Sequence, residues 1–380
     1  MRKSALSAAV MAALSAPGVL WAQQAAAPQT PAVAIPTLDK VLEASGIAVS
    51  GYIDAAYTHA DRDIETGFST RVNDSQNNSF ALHQFGLQVA KQPKEGFGGL
   101  VNVTLGKDAG VIHSFPANEA TFDLTQGYFQ YASGSLTVIG GKFTTLHGTE
   151  VIWSPSNANF SRSILFGAVP FTHTGVRATW AMSDTFSLIG GINNGWDQLT
   201  DQNKGKTVEL GLTATPIKPL TIAASYYGGQ EFSGITAVNG RRDSFNFVAS
   251  YTIIEPLTVG IEYLRVEQKD AVFDAGGATA KMSYDGWAGY ISWAFMPKFK
   301  ATVRAETFND KDGFHFGIAP NGTTENKYNE FTLTLAYLPA DSFELRGEVR
   351  SDHADQPRFS DGTTLSKSLN TFAIQALYKF

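Results

Sequence analysis

Residues 343–353 read FELRGEVRSDH, and their alternation decides how the chain folds. In an extended strand Phe343, Leu345, Gly347 and Val349 share one face, while Glu344, Arg346, Glu348 and Arg350 share the other. A charge turned toward hydrocarbon at mid-depth costs about 2–4 kcal/mol for Arg or Lys. Placing four charges on one face and none on the other is what a wall between lipid and water demands. A half-buried soluble sheet can alternate in the same way, so the neighbouring segments carry the decision.

The pattern repeats outward from this stretch. Phe331, Leu333, Leu335 and Tyr337 oppose Glu330, Thr332 and Thr334, and Val303 and Ala305 oppose Arg304 and Glu306. Between such segments the gaps are alternately short and long. Ser133-Gly134-Ser135, Met182–Thr185, Pro216–Pro219, Met296–Lys298 and Pro339–Ser342 are tight, and the polar gaps between them run longer. A membrane barrel sorts its connections this way, with short turns on one side and longer loops on the other. About sixteen strands are predicted from Ile47 to Phe380, among them 220–228, 242–252, 257–268, 281–295 and a last one at 367–380. Many have the nine to thirteen residues that a tilted strand needs to cross a bilayer. The predicted fold is therefore all-β: a transmembrane antiparallel up-and-down β-barrel spanning 47–380. Arg265 breaks the alternation beside Ile261 and Tyr263, at an outer strand end where a long side chain can snorkel.

Aromatics flank the tight turns: Trp180 and Phe186, Phe295 and Phe299, Tyr337 and Phe343, with Tyr251 before another. This is where an interfacial girdle belongs. The chain closes on Ala376-Leu377-Tyr378-Lys379-Phe380, which resembles the terminal signature of outer-membrane barrels. Phe380 and its strand are thus expected to engage the barrel-insertion machinery.

Charged residues make up only 17% of the chain and the net charge is −6, so no basic surface points to nucleic acid. With no cysteine, disulfides and thiolate metal sites are excluded. Residues 1–22 read as a signal peptide, with Arg2 and Lys3 ahead of an apolar stretch, and cleavage is expected after Ala22. Residues 23–46 form a periplasmic linker, Ala-, Gln- and Pro-rich to residue 36, with a short helix over 37–46 that Thr37 caps and Gly46 stops.

Three segments carry a family likeness: ASGIAVSGYIDAAYT (44–58), GKFTTLHGTEVIWSPSNANFSRSILFGAVPFTHTGVR (141–177) and INNGWDQLTDQNKGKT (192–207). In these the chain resembles the OmpL-like β-barrel porin family of Gram-negative bacteria. The resemblance implies a channel for small solutes in the bacterial outer membrane, without supplying a substrate or binding residues.

The gap 144–171 is apolar for an exposed loop, with clusters at Val151-Ile152-Trp153 and Ile164-Leu165-Phe166. Loops are normally polar surface runs, so this one is expected to fold inward as a constriction bearing Glu150 and Arg162, with His147 close by. In the alternative readings, 160–169 adds strands to make about eighteen, or Glu150 and Arg162 merely pair with each other. Strand parity points Asp54, Arg177, Glu209, Glu262, Arg304, Glu306, Arg346, Glu348 and Arg350 into the lumen. Mixed charges across a narrow aqueous gap filter solutes by size, dipole and charge; taken singly, each of these residues reads as a wall residue in a charge ladder before it reads as a selectivity determinant.

The histidines lack metal-ligand spacing, and Asp61-Arg62-Asp63 with Glu65 lacks the cation-loop glycine. No G-x-S-x-G motif is present. No cofactor or metal is implied. The expected function is a porin, a monomer or homotrimer in outer-membrane lipid that passes small hydrophilic solutes or ions. The competing readings are a barrel enzyme of the phospholipase or protease type and a surface receptor or adhesin.

Overall fold

The computed structural model describes residues 37–62, 68, 70–115, 121–233, 238–272, 279–319 and 322–380. The predicted leader 1–22 and tether 23–36 lie outside them, as do Asp63, Glu65 and Asn321. The short helix forms as α1 (Leu38–Ser45) and ends where Gly46 takes φ +67°. There the Gly46 N–H donates to the Glu43 carbonyl and the Ile47 N–H to the Leu42 carbonyl, both at 3.1 Å. Glycine reaches this left-handed conformation without a Cβ penalty.

The wall begins with β1 (Ala48–Ala60), β2 (Ser79–Lys91), β3 (Gly96–Leu105), β4 (Phe122–Ser133) and β5 (Leu136–Thr144). It continues through β6 (Thr172–Ser183), β7 (Phe186–Asn193), β8 (Thr207–Ile217), β9 (Leu220–Ser233) and β10 (Val238–Ile254). Then come β11 (Leu257–Val272), β12 (Thr279–Met296), β13 (Phe299–Asp310), β14 (Asn326–Ala340) and β15 (Phe343–Ala354). A small hairpin, β16 (Phe359–Ser360) with β17 (Leu365–Ser366), precedes the last wall strand, β18 (Ser368–Lys379). Each wall strand pairs antiparallel with its sequence neighbours, and β18 pairs with both β15 and β1, which closes a barrel of sixteen strands. Closure leaves no strand edge unpaired, the condition for sheet to stand in hydrocarbon. No helix among the described residues is long and apolar enough to cross a membrane.

The alternation holds in the wall. Along β15 the residues Glu344, Arg346, Glu348, Arg350 and Asp352 are buried, while Leu345 and Val349 are exposed. Outward aromatics sit beside the tight turns, with the Phe299 and Tyr337 rings stacked at 4.9 Å and Phe295 next to them. Residues 160–169 add no strand; they contain α3 (Ile164–Gly167) instead.

Several hairpins are longer than the hydropathy pattern suggests. β9 runs on to Ser233, β10 begins at Val238 and β11 runs on to Val272, so parts of the apparent loops continue the sheet. Their ends are polar: Arg241 pairs with Asp243 at 2.7 Å, and Lys281 pairs with Glu267 at 2.8 Å. Strand pairing depends on backbone groups and continues past the point where lipid stops selecting apolar side chains.

The interior is polar at mid-height and apolar toward the loop end of one side. There Leu264 and Val266 of β11, Phe308 of β13, Tyr328 of β14 and Leu369 of β18 pack with Ile164 and Leu165 of α3, Phe68 and Phe359.

Candidate functional site: a loop held across the barrel

The segment between β5 and β6 departs at Thr144 and returns at Phe171, and its apolar residues explain its course. Ile164, Leu165 and Val169 join the large interior cluster, while Ile152 and Phe166 pack with Ile112 of α2 (Ala109–Ile112). Leaving this surface in water would be unfavourable at roughly 25 cal/mol per Å². The Ser163 hydroxyl accepts the Phe166 N–H at 3.0 Å and starts the single turn of α3.

An irregular segment carries N–H and C=O groups that no ladder satisfies, and each costs about 1–3 kcal/mol if buried without a partner. The wall supplies partners of both signs. Glu262 accepts the Thr149 N–H at 2.9 Å, and Glu348 accepts those of Phe160 at 2.8 Å and Ser161 at 3.0 Å. Glu306 accepts the N–H groups of Ile164 at 2.7 Å and Leu165 at 3.2 Å. In the opposite sense, Arg304 donates to the Ser161 carbonyl at 2.7 Å, Arg346 to that of Asn159 at 3.3 Å and Arg350 to that of Arg162 at 2.5 Å. Arg177 donates to the Thr144 carbonyl at 3.0 Å, where the loop departs. These are charge-assisted bonds, stronger than neutral ones.

The charges also compensate one another. Arg304 bridges Glu150 at 2.6 Å and Glu330 at 3.1 Å, Arg346 pairs with Glu344 at 2.7 Å, and Arg177 pairs with Glu209 at 2.5 Å. Arg350 meets Asp352 at 2.7 Å, and Asp352 also holds Arg71 at 2.6 Å. Arg71 reaches down from the loop after β1 and makes a second bridge to Asp74 at 2.8 Å. Asp54 joins this network at one remove: it accepts a hydrogen bond from Gln375 at 2.7 Å, and Gln375 accepts one from Arg346 at 3.1 Å.

The three loop residues expected at a constriction lie in this region and are all buried. Glu150 bonds Arg304 and accepts the Ser163 N–H at 2.6 Å, whereas Arg162 donates to the Phe160 carbonyl at 2.7 Å and the Val151 carbonyl at 3.3 Å. Burial alone would raise the Glu150 carboxyl, but the Arg304 and Arg162 charges override it and hold the group below its ordinary range. The His147 ring sits between the Ser225 hydroxyl at 2.7 Å and that of Ser244 at 3.0 Å. Burial pushes its imidazole well below the usual value, so it is neutral at physiological pH.

Glu330 and Asp352 are part of the network but absent from the sequence-derived set, although they share the parity of Arg346 and Arg350. Arg71, Asp74 and Tyr227 had no comparable signal. Tyr227, on β9, accepts the Leu146 N–H at 2.8 Å, an alignment that only the folded loop creates.

The NGWD segment clasps the far end of the loop. Asp197 Oδ1 accepts the N–H groups of Phe171 at 2.8 Å and Thr172 at 2.9 Å, where the chain re-enters β6. Gly195 has φ +109°, and a Cβ there would stand 2.6 Å from a Glu231 carboxylate oxygen, the one that accepts the Trp196 N–H. The left-handed conformation is thus what calls for glycine at 195, while a Cβ would have to displace the Glu231 carboxylate.

A family model described as Putative beta-barrel porin-2, OmpL-like matches residues 46–380. The chain belongs to that family. It is an outer-membrane channel of the porin class, located in the bacterial outer membrane. None of the curated proteins matches it by sequence. Among solved structures, it resembles the outer membrane channel DcaP of Acinetobacter baumannii, with TM-score 0.63 and 12% identity over 88% of this chain and 97% of that one. It also resembles Pseudomonas putida OprB, with TM-score 0.62 and 11% identity over 90% and 96%. The anion-selective porin from Comamonas acidovorans aligns with TM-score 0.60 and 10% identity over 88% and 99%. At such identities these likenesses speak for the barrel fold.

Proposed function

We propose that the protein is a passive diffusion channel for small hydrophilic solutes, narrowed by residues 144–171 and driven only by the solute's own gradient. The observation that carries this reading is the backbone-by-backbone attachment of the loop to wall charges on β11, β13 and β15. A segment tied at so many points leaves a fixed aperture, and a fixed aperture sorts solutes by size and local charge. The protein transports without chemistry, and each barrel contains its own passage whether it acts alone or in a trimer. Phe380 is the end that the insertion machinery reads.

Purified protein in a planar bilayer is expected to give stable conductance steps, singly for a monomer and in threes for a trimer. Glu150→Ala is expected to change step size or ion selectivity in a protein that still folds. A folded protein without conductance would overturn the channel reading. So would hydrolysis of lipid or peptide that a single residue change abolishes.

A further inference from the structure

Apart from Arg177 of β6, which holds the loop where it departs, the clamping charges lie on β11–β15, and the opposite side of the loop has a different character. Between the loop and β2–β4 is a cavity of about 250 Å³, bordered by Gln88 of β2, Asn102 of β3, Gln126 of β4 and Trp153 of the loop. At roughly 30 Å³ per water, that is room for about eight waters, or one solute of monosaccharide size. A second cavity, of about 450 Å³, lies at the turn end beside Ser50, Lys379 and Phe380, and it too is bordered by Gln88 and Trp153. Gln88 and Trp153 thus border both spaces, one at the turn-end mouth and one at mid-height.

Apart from Lys379 at the turn end, the border of these two spaces has hydrogen-bonding capacity without uncompensated charge, set among apolar residues such as Ile152 and Phe166. The Gln88 amide has no hydrogen-bond partner among the described residues, and Gln126 uses only its carbonyl oxygen, toward Thr144. Asn102 spends its amide nitrogen on the Leu87 carbonyl at 3.3 Å, and its oxygen has no partner among the described residues. The Trp153 indole packs edge-on against Tyr52, with ring centres 4.5 Å apart. Glu150, the charged group on the cavity border, is neutralised by Arg304 at 2.6 Å, and His147 is uncharged. Amide groups beside a flat aromatic face match the hydroxyls and C–H surfaces of a sugar or polyol. An ion gains no compensating charge there for the hydration it must shed.

We propose that solutes pass between the loop and β2–β4, and that Gln88, Asn102, Gln126 and Trp153 select uncharged, hydroxyl-bearing molecules of monosaccharide size over ions of equal size. This rests on the channel reading above and adds the solute class. The test is swelling of proteoliposomes containing the full-length protein in isotonic glucose, sodium gluconate and glucosamine hydrochloride, with reversal potentials measured under a KCl gradient. Wild type is expected to admit glucose on the order of fivefold faster than either ion, with little preference between K⁺ and Cl⁻. Gln88→Glu adds an uncompensated charge and is expected to shift the reversal potential toward cations and speed glucosamine entry. Trp153→Ala is expected to raise conductance and erase the preference for glucose. Heat-modifiable gel mobility reports folding of each variant. Glucose no faster than both ions, or an unmoved reversal potential in folded Gln88→Glu, would overturn the solute assignment while leaving a channel. No swelling in any solute would instead overturn the channel reading itself.

Discussion

Arg304 carries the most connections of any single side chain in the loop network. It is fully buried and holds Glu150, Glu330 and the Ser161 carbonyl and hydroxyl. Arg304→Met would remove the nearest counter-charge of two buried carboxylates, leaving Glu330 with Arg350 at 3.6 Å and Glu150 with the Arg162 charge. A fully broken buried pair costs about 3–5 kcal/mol, so the cost here is expected at or below the low end of that range. Chemical unfolding in detergent is expected to show a loss of that size together with a change in conductance; an unchanged midpoint would mean that water replaces the guanidinium without penalty. Two loop residues give stability an opposite dependence on pH. Burial pushes the Asp197 carboxyl up to about 7 from 3.8, against the pull of the Thr172 and Phe171 N–H groups. Its contribution is fully present below about pH 4 and is lost as pH rises toward 7. Burial, aided by Arg358 and Arg242, pushes the His315 imidazole down to about 4 from 6.5, so stability is lost as pH falls through that window. Melting temperatures from pH 4.5 to 7.5 are expected to show Asp197→Asn gaining on wild type as pH rises and His315→Gln gaining as it falls. Parallel curves would refute both.

The wall strands were legible because lipid imposes a two-residue period. In β15 the same parity that exposes Leu345 and Val349 buries Arg346 and Arg350, so the strand, its face and its inward charges followed from eleven letters. Val349→Arg would place a cation on the outer face and is expected to destabilise the barrel by about 2–4 kcal/mol. Ser351→Arg, nearer the loop end on the same face, is expected to cost less. Equal costs would argue against hydrocarbon on that side. The loop 144–171 was legible in a weaker sense: its apolar clusters indicated that it turns inward, but nothing in the letters paired Glu348 with the Phe160 N–H or Tyr227 with Leu146. Those contacts join residues 188 and 81 positions apart. The strands that exceed their predicted limits, β9 and β10 above all, show the converse. Backbone pairing extends sheet where the side chains read as loop.

At the scale of the molecule, closure depends on the two ends of the barrel. Gly51 and Phe380 exchange both backbone hydrogen bonds at 2.9 Å, and the Phe380 ring covers the space where a Gly51 Cβ would stand. Deleting Phe380 is expected to lower the amount of protein assembled in the outer membrane and to lower the melting temperature of what does assemble. Gly51→Ala is expected to affect melting without the same loss of yield; identical effects of both changes would leave the terminal residue no role beyond packing. The sequence by itself determined the membrane wall and the alternation of its faces, because contact with lipid is a local condition that every strand meets separately; the choice of sixteen strands over eighteen came with the course of residues 160–169. Only the tertiary structure decided what the inward charges do. It bound those of β11–β15 to the loop backbone and left amides and an indole along β2–β4, since a partner across a barrel is fixed by closure and not by any spacing along the chain.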